Sequence, residues 1–331
     1  MAGRPPADRP LALNAPPAMP ADSFRREPAT ESTSCLELLL GQLPRQQFLD
    51  EHFLKRPFAS AGGARQFIAL GNWDTVERLL SHADADALVV REGRRLELAE
   101  PPSYDQARRL HDQGYTVLVR HAERHDARLA DLAAGLRRDL LGPVDVHLYC
   151  TPPRQHGFGW HYDAEDVFIL QTMGSKEYCL RKNTVHPWPL VETLPADMQY
   201  EREIMPLSRC LLEAGDWLYI PAGYWHRALA QQASISLAIG VLPPTAIDAY
   251  DFLRRHLLES LRWRQRLPVA GQNVPMGDEQ LLALYRTVFA DLATDLGRAL
   301  LDEGWLRAFV ASRSGEPGEP ASQPFGKQGG P

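Results

Sequence analysis

Lysine is scarce in this chain: Lys55, Lys176, Lys182 and Lys327 are the only four among 36 basic residues, and the rest are arginine. A GC-rich coding bias accounts for such an imbalance, and it makes each lysine position noticeable. Cysteine is scarce too. Cys35, Cys150, Cys179 and Cys210 lie far apart with no C-x-x-C pair, which argues against a disulfide framework or a zinc ribbon and fits a reducing compartment. No run of about 18 apolar residues exists, so no membrane span is expected. The opening MAGRPPADRPLALNAPPAMPADS has no continuous apolar core of the signal-peptide kind, and cytoplasmic residence is the default reading. A strong charge of one sign is also missing: 36 Lys+Arg against 42 Asp+Glu give −6. That excludes a strongly basic nucleic-acid binder, and no direct nucleic-acid contact is expected.

What remains is a chain of globular composition, with 331 residues, 44% hydrophobic and 24% charged. Residues 1–33 and 314–331 are rich in Pro, Ala, Gly and polar residues. They hold too little apolar surface to offset their ordering entropy and read as disordered tails. From 34 to 143, short helical patterns alternate with strand-like runs. Helices are expected at 36–43, after an Asn72 cap through Val76, Leu79 and Leu80, at 103–114 and at 126–142; strands are expected near 87–93 and 115–121.

From Val144 to residue 242 the texture changes to short aromatic and β-branched runs: VDVHLYC, DVFILQTMG, KEYCLRK, CLLEAGDWLYIP, WHRALA and SISLAIGV. About eight such strands, broken by Gly and Pro, imply a closed or sandwiched antiparallel barrel. After Pro243-Pro244 the helical period returns through residue 313. The fold class is therefore α+β: a β core with N-terminal mixed α/β additions and a C-terminal helical region.

The chemistry concentrates at His161-Tyr162-Asp163, which opens the run DVFILQTMG. In extended chain, residues i and i+2 share a face about 7 Å apart at Cα, so the imidazole and carboxylate point to one spot. His226, in IPAGYWHRALA, is the best third donor, since a hairpin after GDWLYIP returns the chain toward the first pair. Two His and one carboxylate make a facial triad with open positions, which suits non-haem Fe(II). An H-x-D alone is common, and a single histidine on a barrel rim is more often structural. The joint pattern, H-x-D entering a buried strand and then G-D-x-L-Y-I-P-x-G-x-x-H, is what carries weight. His121, His125, His147 and His156 are rivals in the same region.

HYDAEDVFILQTMGSKEYCL, GDWLYIPAGYWHRALA and SISLAIGV resemble the JmjC-type, cupin-fold 2-oxoglutarate oxygenases, within them the ribosomal-oxygenase (cupin-4) branch. The resemblance is dense over 144–241, and it implies a double-stranded β-helix (jelly-roll/cupin) core. It also implies that His161, Asp163 and His226 hold Fe(II), with 2-oxoglutarate and O₂ as cosubstrates. The family's cosubstrate-anchoring cation, fifteen residues after the first His, falls on Lys176, and Ser236 on the last strand is a further cosubstrate contact. The physical reading of KEYCL agrees, because Lys176, Tyr178 and Leu180 share a face and a cation inside a barrel needs an anionic partner.

Blander positions are Trp160 and Trp225 beside the ligand histidines, Tyr149 and Gln171 as pocket lining, and Glu165 and Asp166, read as a solvated loop or as a contact for a basic substrate. The resemblance implies hydroxylation of a protein side chain, such as arginine or histidine of a ribosomal protein, and a homodimer through the helices at 245–310. Branch members commonly continue into a winged-helix domain, of which no hairpin is legible here. A free amino acid, peptide or natural-product small molecule is therefore the alternative substrate. A catalytically inactive cupin-like binding protein is the third reading.

Overall fold

The computed structural model describes residues 34–195, 198–268 and 277–314; the two expected tails lie outside these residues apart from Ser314. Eleven strands form among them: β1 (Phe58–Ser60), β2 (Asp86–Arg91), β3 (Arg94–Arg95), β4 (Thr116–Arg120), β5 (Val144–Thr151), β6 (Asp166–Met173), β7 (Ser175–Arg181), β8 (Ser208–Glu213), β9 (Trp217–Ile220), β10 (Trp225–Ala230) and β11 (Ser234–Val241). Helices α1 (Cys35–Leu40), α2 (Arg45–Glu51), α3 (Trp73–Leu80), α4 (Tyr104–Asp112) and α5 (Ala127–Leu140) precede the β core. Helices α6 (Ala246–Leu257), α7 (Leu261–Arg264), α8 (Asp278–Leu300) and α9 (Glu303–Ser314) follow it.

Local chemistry sets several helix starts. The side chain of Asn72 accepts from the Thr75 N–H at the start of α3, Ser103 accepts from Gln106 at α4, and Asp126 accepts from Arg128 and Leu129 at α5. Between Val144 and Val241 the six runs form seven strands, CLLEAGDWLYIP splitting into β8 and β9.

All ladders are antiparallel. An eight-stranded sheet runs β1-β9-β6-β11-β5-β4-β2-β3, and a three-stranded sheet runs β10-β7-β8. Alternation divides the large sheet's faces. Phe168, Leu170, Trp217, Tyr219, Leu237 and Ile239 point to one core, packed with Leu36, Leu39, Leu79 and Leu136 of α1, α3 and α5. Their neighbours Val167, Ile169, Leu218, Ile220 and Ala238 face a second core shared with Tyr178, Leu180 and Leu212 of the small sheet. Fully burying each aliphatic side chain stabilises by roughly 1.5–3 kcal/mol. Trp217 also donates its indole N–H to the Leu39 carbonyl at 2.8 Å, tying α1 to β9.

Strand β11 carries small residues on the face that meets the small sheet. Its helix-facing residues are Ile235, Leu237, Ile239 and Val241, whereas its inward ones are Ser234, Ser236, Ala238 and Gly240. Among these, Ser236 accepts a hydrogen bond from Lys176 of β7 at 3.3 Å.

Gly174 makes the β6–β7 turn at φ +65°, and a Cβ there would strike the Ala233 carbonyl. Overpacking against backbone costs about 1–3 kcal/mol, so Gly174→Ala should lower the thermal unfolding midpoint of the full chain. An unchanged midpoint would show that this turn is not under the constraint described. Among the described residues, no helix is long and apolar enough to cross a membrane.

Candidate metal and anion site

His161 and His226 are brought together by their own backbones. His226 N–H donates to the His161 carbonyl at 2.8 Å and His161 N–H returns the bond at 3.2 Å, an isolated antiparallel bridge outside the main ladders. The rings then lie 4.2 Å apart at their centroids. Each Nδ1 meets a carbonyl, Gly159 O at 2.9 Å for His161 and Tyr224 O at 3.0 Å for His226. A carbonyl only accepts, so each Nδ1 carries the proton and each Nε2 keeps its lone pair.

Asp163 Oδ2 faces both lone pairs, 4.0 Å from His161 Nε2 and 3.4 Å from His226 Nε2. One ligand atom from each of the three residues falls within 4.8 Å of the other two. The Asp163 backbone is fixed separately, because its carbonyl accepts from Gly223 N–H at 2.8 Å. Burial, and then the neighbouring His161, push the His226 imidazole down to about 4, which keeps it neutral and able to ligate. Tethered imidazoles with free Nε2 atoms opposite one carboxylate fit a divalent cation of the Fe(II) kind, with coordination positions left over.

Lys176 lies deep between the sheets and is 4% exposed. Its Nζ donates to Thr151 Oγ1 at 3.1 Å and to Ser236 Oγ at 3.3 Å, and Ser236 is also hydrogen-bonded to the Tyr178 side chain. No carboxylate pairs with Lys176 among the described residues, and burial pushes its ammonium down to about 8. A buried cation held only by hydroxyls is a receptor for an anion.

Aromatic rings connect this cation to the metal triad. Lys176 Nζ sits 5.6 Å from the Tyr149 ring centre, Phe158 meets Tyr149 edge-on, and Phe158 packs against His161. The Tyr149 phenol is pushed up by burial and then by the Asp163 charge, and it stays a neutral hydroxyl.

The structure thus gathers His161, Asp163 and His226 in one cluster and Lys176 with Ser236 in a second, buried between the sheets, with Tyr149 and Phe158 connecting the two. Thr151 is a residue that sequence reading missed. Its signal is the inward alternation of Tyr149 and Thr151 on β5. Several other positions have structural roles. Trp160 stacks on Tyr200 at 4.1 Å and Trp225 packs edge-on against Tyr200 at 5.5 Å, so both hold the β7–β8 connection in place. The Gln171 amide donates to the Met173 and Ile235 carbonyls at a strand irregularity. Asp166 is buried, accepting from Tyr219 Oη and the Ala222 N–H, and is neither in a solvated loop nor available to a substrate.

Glu165 is half-buried rather than solvated. Its carboxylate lies over Gly240 and is pushed up to about 8, first by burial and then by Asp163 and Asp145. Among the rival histidines, His147 Nδ1 accepts the His121 N–H, and His121 pairs with Asp145 at 3.2 Å beside Glu123.

Residues 117–249 match the family model of the JmjC domain. Ribosomal oxygenase 1 of Gallus gallus is 29% identical over 178 residues, which cover 51% of this chain and 30% of that protein. The bifunctional lysine-specific demethylase and histidyl-hydroxylase NO66 of Dictyostelium discoideum is 34% identical over 133 residues, covering 39% of this chain and 25% of its own length. The chain therefore spans less than a third of either curated relative. Among solved structures, the Escherichia coli ribosomal oxygenase YcfD in complex with cobalt and 2-oxoglutarate superposes with a TM-score of 0.57 at 22% identity, over 86% of this chain and 76% of that one. That similarity establishes the fold.

Proposed function

With residues 117–249 identified as a JmjC domain on a cupin-like fold, we propose that the chain is a 2-oxoglutarate- and Fe(II)-dependent oxygenase that hydroxylates a protein side chain. The observation that carries this reading is the pairing of the His161–Asp163–His226 donor set with a buried lysine that has no carboxylate partner among the described residues. The metal site fits a dication, and Lys176 fits the far carboxylate of a dicarboxylic acid.

Bound iron supplies dioxygen activation coupled to loss of CO₂ from 2-oxoglutarate; overall, R–H, O₂ and 2-oxoglutarate become R–OH, succinate and CO₂. The protein supplies position and exclusion of water. Gly159 O and Tyr224 O hold the imidazoles in the ligating tautomer, and Asp163 offers the charge that keeps a dication in place. Thr151 and Ser236 aim the Lys176 ammonium, and the buried Tyr149 hydroxyl stays protonated as a donor. Glu165 beside Asp163 is held mostly protonated at neutral pH, so it offers a substrate side chain a hydrogen bond rather than a charge.

The resemblance and the relatives' names support a ribosomal protein as the substrate. Intact-mass comparison of ribosomal proteins from cells with and without the gene should then show one protein heavier by about 16 Da, the mass of one oxygen atom inserted by a hydroxylase. No such difference would move the substrate to a free amino acid, peptide or other small molecule.

We assign the C-terminal helices to self-association. Helix α8 has no buried residue and exposes Leu282 and Phe289. Light scattering on the full chain should return twice the 37.1 kDa chain mass; the monomer mass would remove this assignment.

A further inference from the structure

The chain carries a second H-x-D spacing, His82-Ala83-Asp84, in the turn that joins α3 to β2. His125 lies beside it, in the short segment before α5. One donor atom from each of His82, Asp84 and His125 falls within 4.8 Å of the others. His125 Nε2 is 3.8 Å from Asp84 Oδ1, and the two imidazoles stack at 4.5 Å between centroids. We propose that these three side chains form a second divalent-cation site, of zinc-like preference, that clips the α3–β2 turn to the start of α5.

Three features support it. The backbone on both sides is pinned: Asp126, the residue after His125, pairs with Arg78 of α3 at 3.2 Å and Arg128 of α5 at 3.0 Å, and Asp86, two residues after Asp84, pairs with Arg120 at 2.8 Å. The three side chains make no hydrogen bond among the described residues, so no protein donor or acceptor competes for them. In the otherwise similar group His121, Glu123 and Asp145, by contrast, the Glu123 carboxylate accepts the Val146 N–H at 2.8 Å and His121 bonds Asp145 at 3.2 Å. That group is spent on internal bonds.

The donor chemistry also points to the ion. Two imidazoles and one carboxylate suit Zn²⁺, which takes nitrogen at about 2.0–2.1 Å and completes four-coordination with water. Donors 3.8 Å apart need only a small rotation to reach such an ion, and the exposed His82 and Asp84 side chains are free to make it. An ion bound only to the folded chain stabilises it by mass action.

The test is Zn²⁺ stoichiometry on the full chain, stripped with chelator and then equilibrated with Zn²⁺ alone, together with thermal unfolding. The wild type should hold two equivalents. His82→Ala/His125→Ala and Asp163→Ala/His226→Ala should each hold one. In the Asp163→Ala/His226→Ala background, added Zn²⁺ should still raise the unfolding midpoint, and further substitution of His82 and His125 should abolish that rise. Two equivalents retained by His82→Ala/His125→Ala, or none retained by Asp163→Ala/His226→Ala, would overturn the proposal. A failure of the oxygenase reading would instead appear as loss of 2-oxoglutarate turnover with this second equivalent intact.

Discussion

Asp163→Ala should reduce succinate release from 2-oxoglutarate to the level of a no-protein control while leaving the fold intact. The side chain can be removed cleanly because it makes no hydrogen bond within the protein; the structural bond at this position is Gly223 N–H to the backbone carbonyl, which alanine keeps. What is lost is the only carboxylate, among the described residues, that faces His161 Nε2 and His226 Nε2, at 4.0 and 3.4 Å. Two neutral imidazoles without a charged partner hold a hard divalent cation poorly. Asp163→Asn keeps the size and removes the charge, so it should fail in the same way. Circular dichroism matching the wild type, with turnover measured as succinate, checks both halves. Full turnover in Asp163→Ala would remove Asp163 from the metal site.

The second large effect is expected at Lys176. Lys176→Met keeps a flexible apolar stem between the sheets and removes the ammonium held by Thr151 and Ser236. Hydrogen bonds to charged groups contribute about 1.5–3 kcal/mol, which corresponds to roughly 10- to 150-fold weaker 2-oxoglutarate binding. Affinity in the wild type should also fall as pH rises through about 8, where the free ammonium loses its proton.

Stability without cosubstrate should move the other way. The folded ammonium sits below its ordinary value of 10.5 because of burial, so between about 8 and 10.5 the unfolded chain binds more protons at this residue and its contribution to stability rises with pH. Lys176→Met removes that slope and leaves the unliganded protein as stable as the wild type at pH 7, or more so, since an unpaired buried charge is gone. Calorimetric titration of 2-oxoglutarate and thermal unfolding at several pH values separate the two effects. Unaltered affinity in Lys176→Met would remove this residue from the cosubstrate site.

Much of this site was legible because strands translate spacing into direction. His161 and Asp163 are two residues apart in extended chain, Lys176 and Tyr178 share the inward face of β7, and the alternation in SISLAIGV turns Ser236 inward and Ile235 outward. Helix caps at Asn72, Ser103 and Asp126 are equally local.

What sequence could not supply are contacts made across the fold. Thr151 reaches Lys176 from the opposite sheet, and Asp166 finds Tyr219 on the neighbouring strand. Tyr200 stacks on Trp160 from a connection with no regular period. Strand β1 is three residues long and pairs with Trp217–Tyr219, about 160 residues further along the chain, with no local pattern to announce it. The pair His82 and Asp84 had the same spacing as His161 and Asp163, yet it opens no buried strand run, and only the folded chain brings His125 beside it.

The most direct test of the account is equilibrium binding of 2-oxoglutarate to the full chain under anaerobic conditions, with and without Fe(II). The expected result is binding that requires the metal, disappears in Asp163→Ala and weakens in Lys176→Met. Binding indifferent to both the metal and Asp163, or no binding at all to the iron-loaded wild type, would contradict it.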